Sequence, residues 1–244
     1  MSSISKVKSE IRWRIWRLLE EKNIATFPRP VYGRIPNFEG SDIACENLAK
    51  LEIFKNAKVV KVNPDSPQRR IREICLEQGK ILIMPTPRIR NGFLLLDPSK
   101  IPKYAYREAS TISGAYRWGI SVKPWNLPKV DLVVIGSVAV DLRGIRLGKG
   151  EGYAELEWAI LSECGKVDYS TIIVTTVHDL QVLTDFEIPY DEFDLPVDLI
   201  VTPTRIIETR RVKDRPRGII WEKLPPEKLR EIPILQELKK LKVR

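Results

Sequence analysis

The sequence predicts an α/β fold built on a mostly parallel sheet with helices on both faces. Three observations lead there. Short apolar runs of strand length recur along the chain: AKVVKV (57–62), KILIMP (80–85), FLLLD (93–97), VDLVVIG (130–136), TIIVTT (171–176) and VDLIVT (197–202). Most of them are apolar throughout, as strands buried on both faces are. Helical patterns fall between them, at 71–79 and 153–164, which is the rhythm of layered α/β proteins.

The flanking elements follow in order. Residues 4–22 read as an amphipathic helix with Ile11, Ile15, Leu18 and Leu19 on one face. The Pro- and Gly-rich stretch 27–40 reads as loop. Ser41 is placed to cap a helix ending near Leu51. PDSPQRR is a turn feeding the helix at 71–79. The last helix, 226–241, repeats Leu229, Ile232, Leu235 and Leu238, and Pro233 is expected to bend or split it. Residues 1–204 are expected to form one domain. Residues 205–244 are expected to be a basic extension with a helix packed on that domain.

Composition narrows the class. With 244 residues and 43% hydrophobic side chains, the chain can bury a sizeable core. No run of 18 apolar residues occurs and the first residues carry no apolar signal core, so a cytoplasmic, non-membrane protein is expected. Cys45, Cys75 and Cys164 lie far apart without CxxC spacing, which argues against structural zinc and for reduced, buried thiols. The single histidine, His178, argues against a His-based metal centre or a Ser-His-Asp triad and reads as a capping or packing residue. The 30% charged content and plentiful proline match a thermophile's usage. The net charge of +9 comes from 41 basic and 32 acidic residues, and 13 basic against 6 acidic side chains fall in 205–244. Such a tail is either a solvated surface or a contact for phosphates, nucleotides or RNA.

The most informative segment is 130–161, VDLVVIGSVAVDLRGIRLGKGEGYAELEWAIL. A buried strand ends near Gly136, a loop follows with Gly144, Gly148, Gly150 and Gly152, and a helix starts near Tyr153. Glycines let backbone amides approach a ligand, and a helix N-terminus offers free N–H groups and the positive end of a dipole. Arg146 and Lys149 add positive charge, so the segment reads as a phosphate cradle and both are candidate catalytic residues. The spacing matches neither GxxxxGK[ST] nor GxGxxG.

This segment resembles the 5-formyltetrahydrofolate cyclo-ligase family, whose members carry a stretch like PGVAFD followed by GxRLGxGGGYYDR. The counterparts here are GSVAVD (136–141) and GIRLGKGEGYAEL (144–156), in which Gly144, Arg146, Leu147, Gly148, Gly150, Gly152 and Tyr153 match. Lys8 and Arg12 fit the Lys-x-x-x-Arg of the family's first helix. Gln181, Pro189, Asp194, Asp198 and Thr202 follow its later pattern. GRIPNF, VVKVNPDSPQRRIRE, RLGKGEGYAELE and the tail after 215 look closer still to a divergent branch, the methenyltetrahydrofolate synthetase domain-containing proteins. Animal members of that branch carry an RNA-recognition domain, whose aromatic signature does not occur here.

The resemblance implies a three-layer α/β/α fold of the kind shared with NagB, ribose-5-phosphate isomerase (RpiA) and CoA transferases. It implies ATP and Mg2+ as cofactors and a folate-like substrate in one-carbon metabolism. Lys8, Arg12, Gly144, Arg146, Gly148, Lys149, Gly150, Glu151, Gly152 and Tyr153 would then hold the nucleotide, and Glu155, in place of the family's Asp, would hold magnesium. The departures fall on the folate side: Glu151 replaces a glycine, Phe193 replaces a His, Pro203 replaces a Glu, and no Glu stands in 64–70.

Other features are weighed from the residues alone. Trp118, in GAYRWG, is a candidate substrate-stacking residue, and Trp158 reads as core. Glu155 and Glu157 are two apart on a helix and point different ways, so only Glu155 joins the expected site. Arg69, Arg70 and Arg72 read as an exposed helix start or a polyanion contact. The expectation is an ATP-dependent cyclo-ligase-like enzyme. The alternative is a non-catalytic nucleotide- or RNA-binding protein that keeps the phosphate loop and binds RNA through its basic tail.

Overall fold

The structure, a computed structural model, describes residues 3–242. The first half runs α1 (Ser3–Glu21), α2 (Ser41–Ala49), α3 (Glu52–Asn56), β1 (Val59–Val62), α4 (Arg69–Glu77), β2 (Ile81–Pro85), β3 (Phe93–Leu96), α5 (Tyr106–Ala109), α6 (Ile112–Trp118) and β4 (Ile120–Val122). The second half runs β5 (Leu132–Ile135), β6 (Ala139–Asp141), β7 (Arg146–Leu147), α7 (Tyr153–Glu163), β8 (Ile172–Thr176), β9 (Val182–Leu183), β10 (Leu199–Val201), β11 (Ile206–Glu208), α8 (Pro226–Glu231) and α9 (Pro233–Lys242).

Eight strands form one sheet in the order β11-β10-β8-β5-β1-β2-β3-β4. The five from β10 to β2 are parallel; β11 joins one end and β3, followed by β4, the other, each through antiparallel pairing. The run at 93–96 turns back because only a short loop separates it from β2, whereas a parallel return needs a crossover of a dozen residues or more. Side chains alternate between faces. Val133, Ile135 and Ile173 pack with Trp158, Ile160 and Leu161 of α7 and with Ile234, Leu235 and Leu238 of α9. Val60, Val62, Val134 and Val174 pack on the other face with Cys45 and Leu48 of α2, Ile71 and Cys75 of α4, and Ala115 of α6. This is the three-layer α/β/α arrangement.

A second, three-stranded sheet, β7-β6-β9, projects beside the first. Ile11, Ile15, Trp16 and Leu19 of α1 cover it, packing with Val138, Ala139, Ile145 and Leu147. The sequence patterns did not distinguish these two- and three-residue strands from loop.

Several local details differ from expectation or sharpen it. Gly40, at φ 81°, holds the cap position of α2 without a side-chain bond, and Ser41 is the first helical residue. Pro233 splits the last helix into α8 and α9. His178 caps a helical turn, its Nδ1 accepting from the Leu180 N–H at 3.1 Å. Cys45 and Cys75 are buried, Cys164 is half-buried, and all three are free thiols.

Within the extension, residues 205–242 are fastened to the body. β11 pairs with β10, and Ile232 and Leu235 are fully buried. Arg205 bonds Asp179 at 2.8 Å, Arg215 pairs with Asp198, and Lys213 Nζ donates to the Glu192 and Asp194 carbonyls at 2.7 and 3.0 Å. These three of the tail's basic side chains therefore serve attachment.

Candidate functional site

Strand order reverses between β1 and β5, since the chain continues from β1 to β2 on one side while β5 lies on the other. In open α/β sheets the crevice beyond the carboxyl ends of such strands is where ligands bind. Asn63 and Asp65 follow β1 and Gly136 follows β5, and all three line a cleft of about 660 Å³. A Cβ on Gly136 would stand 2.7 Å from Ile35 Cγ2 and 2.9 Å from Gln68 Oε1, so only glycine fits this floor.

Asp65 is held by a residue the sequence concealed. Arg72 is buried and not part of an exposed helix start. Its Nη1 donates to the Asn63 and Asp65 carbonyls at 2.5 and 2.9 Å, and its Nε to Ser110 O at 2.7 Å. Burial lowers the Arg72 pKa to about 10, so it remains a cation near neutrality. The Asp65 carboxylate accepts no hydrogen bond among the described residues, and burial pushes its pKa up. The floor thus offers an unsatisfied acceptor to a ligand.

The glycine loop forms one wall. Gly150 (φ 103°) and Gly152 (φ 72°) adopt left-handed backbone that side chains disfavour, which folds the loop back to start α7 at Tyr153. Among the described residues, none of the eight consecutive backbone N–H groups of 148–155 donates to a protein acceptor; the first committed one is Leu156 N–H, to Gly152 O at 3.1 Å. These amides and the N-terminal end of α7 give the wall a positive potential.

The cations around the loop are not equivalent. Arg12 Nε donates to Gly148 O at 2.7 Å, its guanidinium lies against Gly150, and it makes no ion pair among the described residues. Lys149 pairs with Glu151 at 2.8 Å and is partly exposed. Lys8, expected to meet phosphate, is held by Asp191 at 2.8 Å and Asp194 at 2.5 Å. Burial pushes the Asp194 pKa up and the lysine opposes that shift. Arg146 is buried beneath the loop; it bonds Gly136 O at 3.1 Å and Ser137 Oγ at 3.3 Å and pairs with Glu155. It thereby ties the end of β5 to the first turn of α7.

Two expected site residues lie elsewhere. Gly144 turns the β6–β7 hairpin at φ 80°, its N–H bonded to Asp141 O at 3.0 Å, and is not on the cleft wall. Trp118 is also absent from the wall. It ends α6 on the other side of the sheet from α7, where Nε1 donates to Glu108 at 3.0 Å. Lys8, Arg12, Arg146, Gly148, Lys149, Gly150, Glu151, Gly152, Tyr153 and Glu155 are brought together around the cleft. No three His, Cys, Asp or Glu side chains converge as a metal cage among the described residues.

The sequence profile of the 5-formyltetrahydrofolate cyclo-ligase family matches residues 4–203, the stretch that builds this cleft. The chain belongs to that family. Two relatives are methenyltetrahydrofolate synthase domain-containing proteins: that of Danio rerio is 44% identical over 238 residues, covering 97% of this chain, and that of Homo sapiens 43% over 234, covering 95%. The chain spans 62% and 61% of the length of those relatives. A probable 5-formyltetrahydrofolate cyclo-ligase of Schizosaccharomyces pombe is 25% identical over 181 residues, 67% of this chain and 83% of that protein. The fold matches the NMR structure of Aquifex aeolicus 5,10-methenyltetrahydrofolate synthetase, with a TM-score of 0.52 at 23% identity over 86% of this chain and 96% of that one.

Within the cyclo-ligase family frame, Asp65 places a carboxylate in the segment where a family Glu is expected. It was legible as the acid just past a strand's carboxyl end, but three nearby arginines mask it. Asn63, Arg72 and the pair Lys61–Glu157 beneath the cleft also carry no sequence signal of their own. Phe193, where the family His is expected, lines the cleft beside Asp194.

Proposed function

We propose that this chain is an ATP- and magnesium-dependent enzyme of the cyclo-ligase type, closing 5-formyltetrahydrofolate or a related folate to its 5,10-methenyl form. The observation that carries the reading is the run of uncommitted amides at 148–155, flanked by Arg12 and Lys149, facing a floor with the free acceptor Asp65. The amides and Arg12 would hold the β- and γ-phosphates, and Asp65 would accept from the N–H groups of the folate ring.

The chemistry asked of these residues is alignment and charge. The formyl oxygen takes the γ-phosphoryl group as the bond to the ADP oxygen breaks. N10 then adds to the activated carbon, and phosphate leaves with the former formyl oxygen. Such transfers depend on positioning and on neutralising the phosphoryl oxygens more than on covalent help from the protein. Magnesium commonly takes one or two carboxylates and fills its shell with phosphate and water, which suits a cleft offering Glu155 and no closed cage among the described residues. When bound it would neutralise charge on the transferring group. Arg146 holds Glu155 at the cleft wall, and Lys8, between two aspartates, keeps the 189–194 segment closed against α1.

The test is turnover: 5-formyltetrahydrofolate with ATP and magnesium, followed by methenyl absorbance and ADP release. Stoichiometric ADP and methenyl product are expected. ATP–magnesium binding without any product would reject the catalytic reading and leave a nucleotide-binding protein.

A further inference from the structure

Residues 204–244 lie beyond the stretch matched by the family profile, yet α8 reaches the rim of the cleft. Tyr153, the first residue of α7, donates its hydroxyl to Glu231 Oε2 at 3.0 Å. Lys228 Nζ sits 3.4 Å from the centroid of the same ring. The other oxygen of Glu231 faces Arg88 Nη1 at 3.6 Å. Tyr153 and Arg88 both line the cleft, one at the glycine loop and the other on the loop between β2 and β3. One carboxylate thus spans two segments of the cleft mouth from behind.

The β2–β3 loop needs such a brace. Arg88 and Ile89 both have φ 56°, and consecutive non-glycine residues in the left-handed region are strained. Ile89 is fully buried, and Ile234 Cδ1 of α9 lies 2.5 Å from where a Cβ on Gly92 would stand. The extension therefore packs on both ends of this loop. Burial also pushes the Tyr153 pKa up, and the Glu231 bond adds to that, so the phenol stays a donor.

We propose that Glu231 is a positioning residue for the nucleotide site, acting through Tyr153 and Arg88, which makes the C-terminal extension a working part of that site. This rests on the reading of 148–155 as the phosphate wall. Holding Tyr153 fixes where α7 begins, and hence where the amides just before and after it point. Holding Arg88 fixes the opposite lip. The packing of the extension is supplied by Ile232, Ile234 and Leu235, so the carboxylate can be removed without undocking it.

The experiment measures ATP–magnesium affinity of the full chain by calorimetry for wild type, E231A, E231Q, Y153F and the double variant Y153F/E231A, with melting temperatures taken in parallel. A lost hydrogen bond to a charged group predicts about tenfold weaker binding for E231A. E231Q keeps an acceptor and should recover most of the loss. The double variant should be no weaker than E231A alone, because that substitution already removes the contact that Y153F removes. Melting temperatures should stay close to wild type, and in turnover KM for ATP should rise with kcat little changed. Wild-type affinity in E231A, or additive losses in the double variant, would overturn the proposal. A wild type that binds no ATP–magnesium would instead reject the phosphate wall itself, and the proposal with it.

Discussion

Lys61 of β1 and Glu157 of α7 form an ion pair inside the core, with only 2% and 5% of their side chains exposed, and Lys61 Nζ also donates to Asn63 Oδ1 at 2.7 Å. Asn63 and the Glu157 member of the pair both line the cleft, so the pair sits at its base. The pair ties the strand that ends at the floor to the helix that begins at the glycine loop. Glu155 and Glu157 diverge as their spacing requires: the first meets Arg146, the second Lys61.

Breaking this pair on one side should be costly. Lys61→Met leaves a buried carboxylate uncompensated and is expected to lose about 3–5 kcal/mol, whereas Lys61→Met with Glu157→Leu should be about neutral or stabilising. Urea unfolding of the three proteins checks this. A single variant as stable as wild type would show that the pair is not desolvated as the structure has it.

Asp65 predicts a pH effect of definite sign. Its folded pKa is raised by burial, so the folded state holds this proton to higher pH than the unfolded chain does. The contribution is therefore fully favourable below the ordinary aspartate range and is lost as pH rises through the raised value. Asp65→Asn should leave acid stability nearly unchanged and make the protein more stable than wild type at neutral pH, because no buried carboxylate then has to ionise. The same variant should lose folate binding. Denaturation curves across that range decide it, and a variant less stable at neutral pH would contradict the assignment.

Gly150 should tolerate no side chain. At φ 103° an alanine is strained, and its Cβ would stand 3.5 Å from the Arg12 guanidinium. Gly150→Ala is expected to cost about 1–3 kcal/mol of stability and to weaken nucleotide binding further than that loss explains. Thermal melts with and without ATP–magnesium separate the two effects.

Much of this was legible in residue pattern. Apolar runs marked the parallel strands because burial on both faces leaves little room for polar residues. The spacing of Gly148, Gly150 and Gly152 marked the loop because positive φ selects glycine at 150 and 152, and a Cβ at 148 would stand 2.7 Å from Arg146 Nη2. What stayed hidden depends on tertiary partners. Lys8 and Arg146 read as free cations, but their carboxylates come from 155, 191 and 194, which only the fold brings to them. Arg72 read as exposed because arginine usually is, and only the fold brings Ser110 to its side chain. Trp118 falls away from the cleft because a Gly-flanked aromatic carries no information about which face of the sheet it joins.

The central claim is that the amides of 148–155 bind phosphate. Titrating ATP–magnesium into 15N-labelled protein and following each amide resonance tests it most directly. Large, saturable shifts concentrated in residues 148–155, with Arg12 close behind, are predicted. Saturable binding that leaves those amides unmoved while perturbing another surface would contradict it.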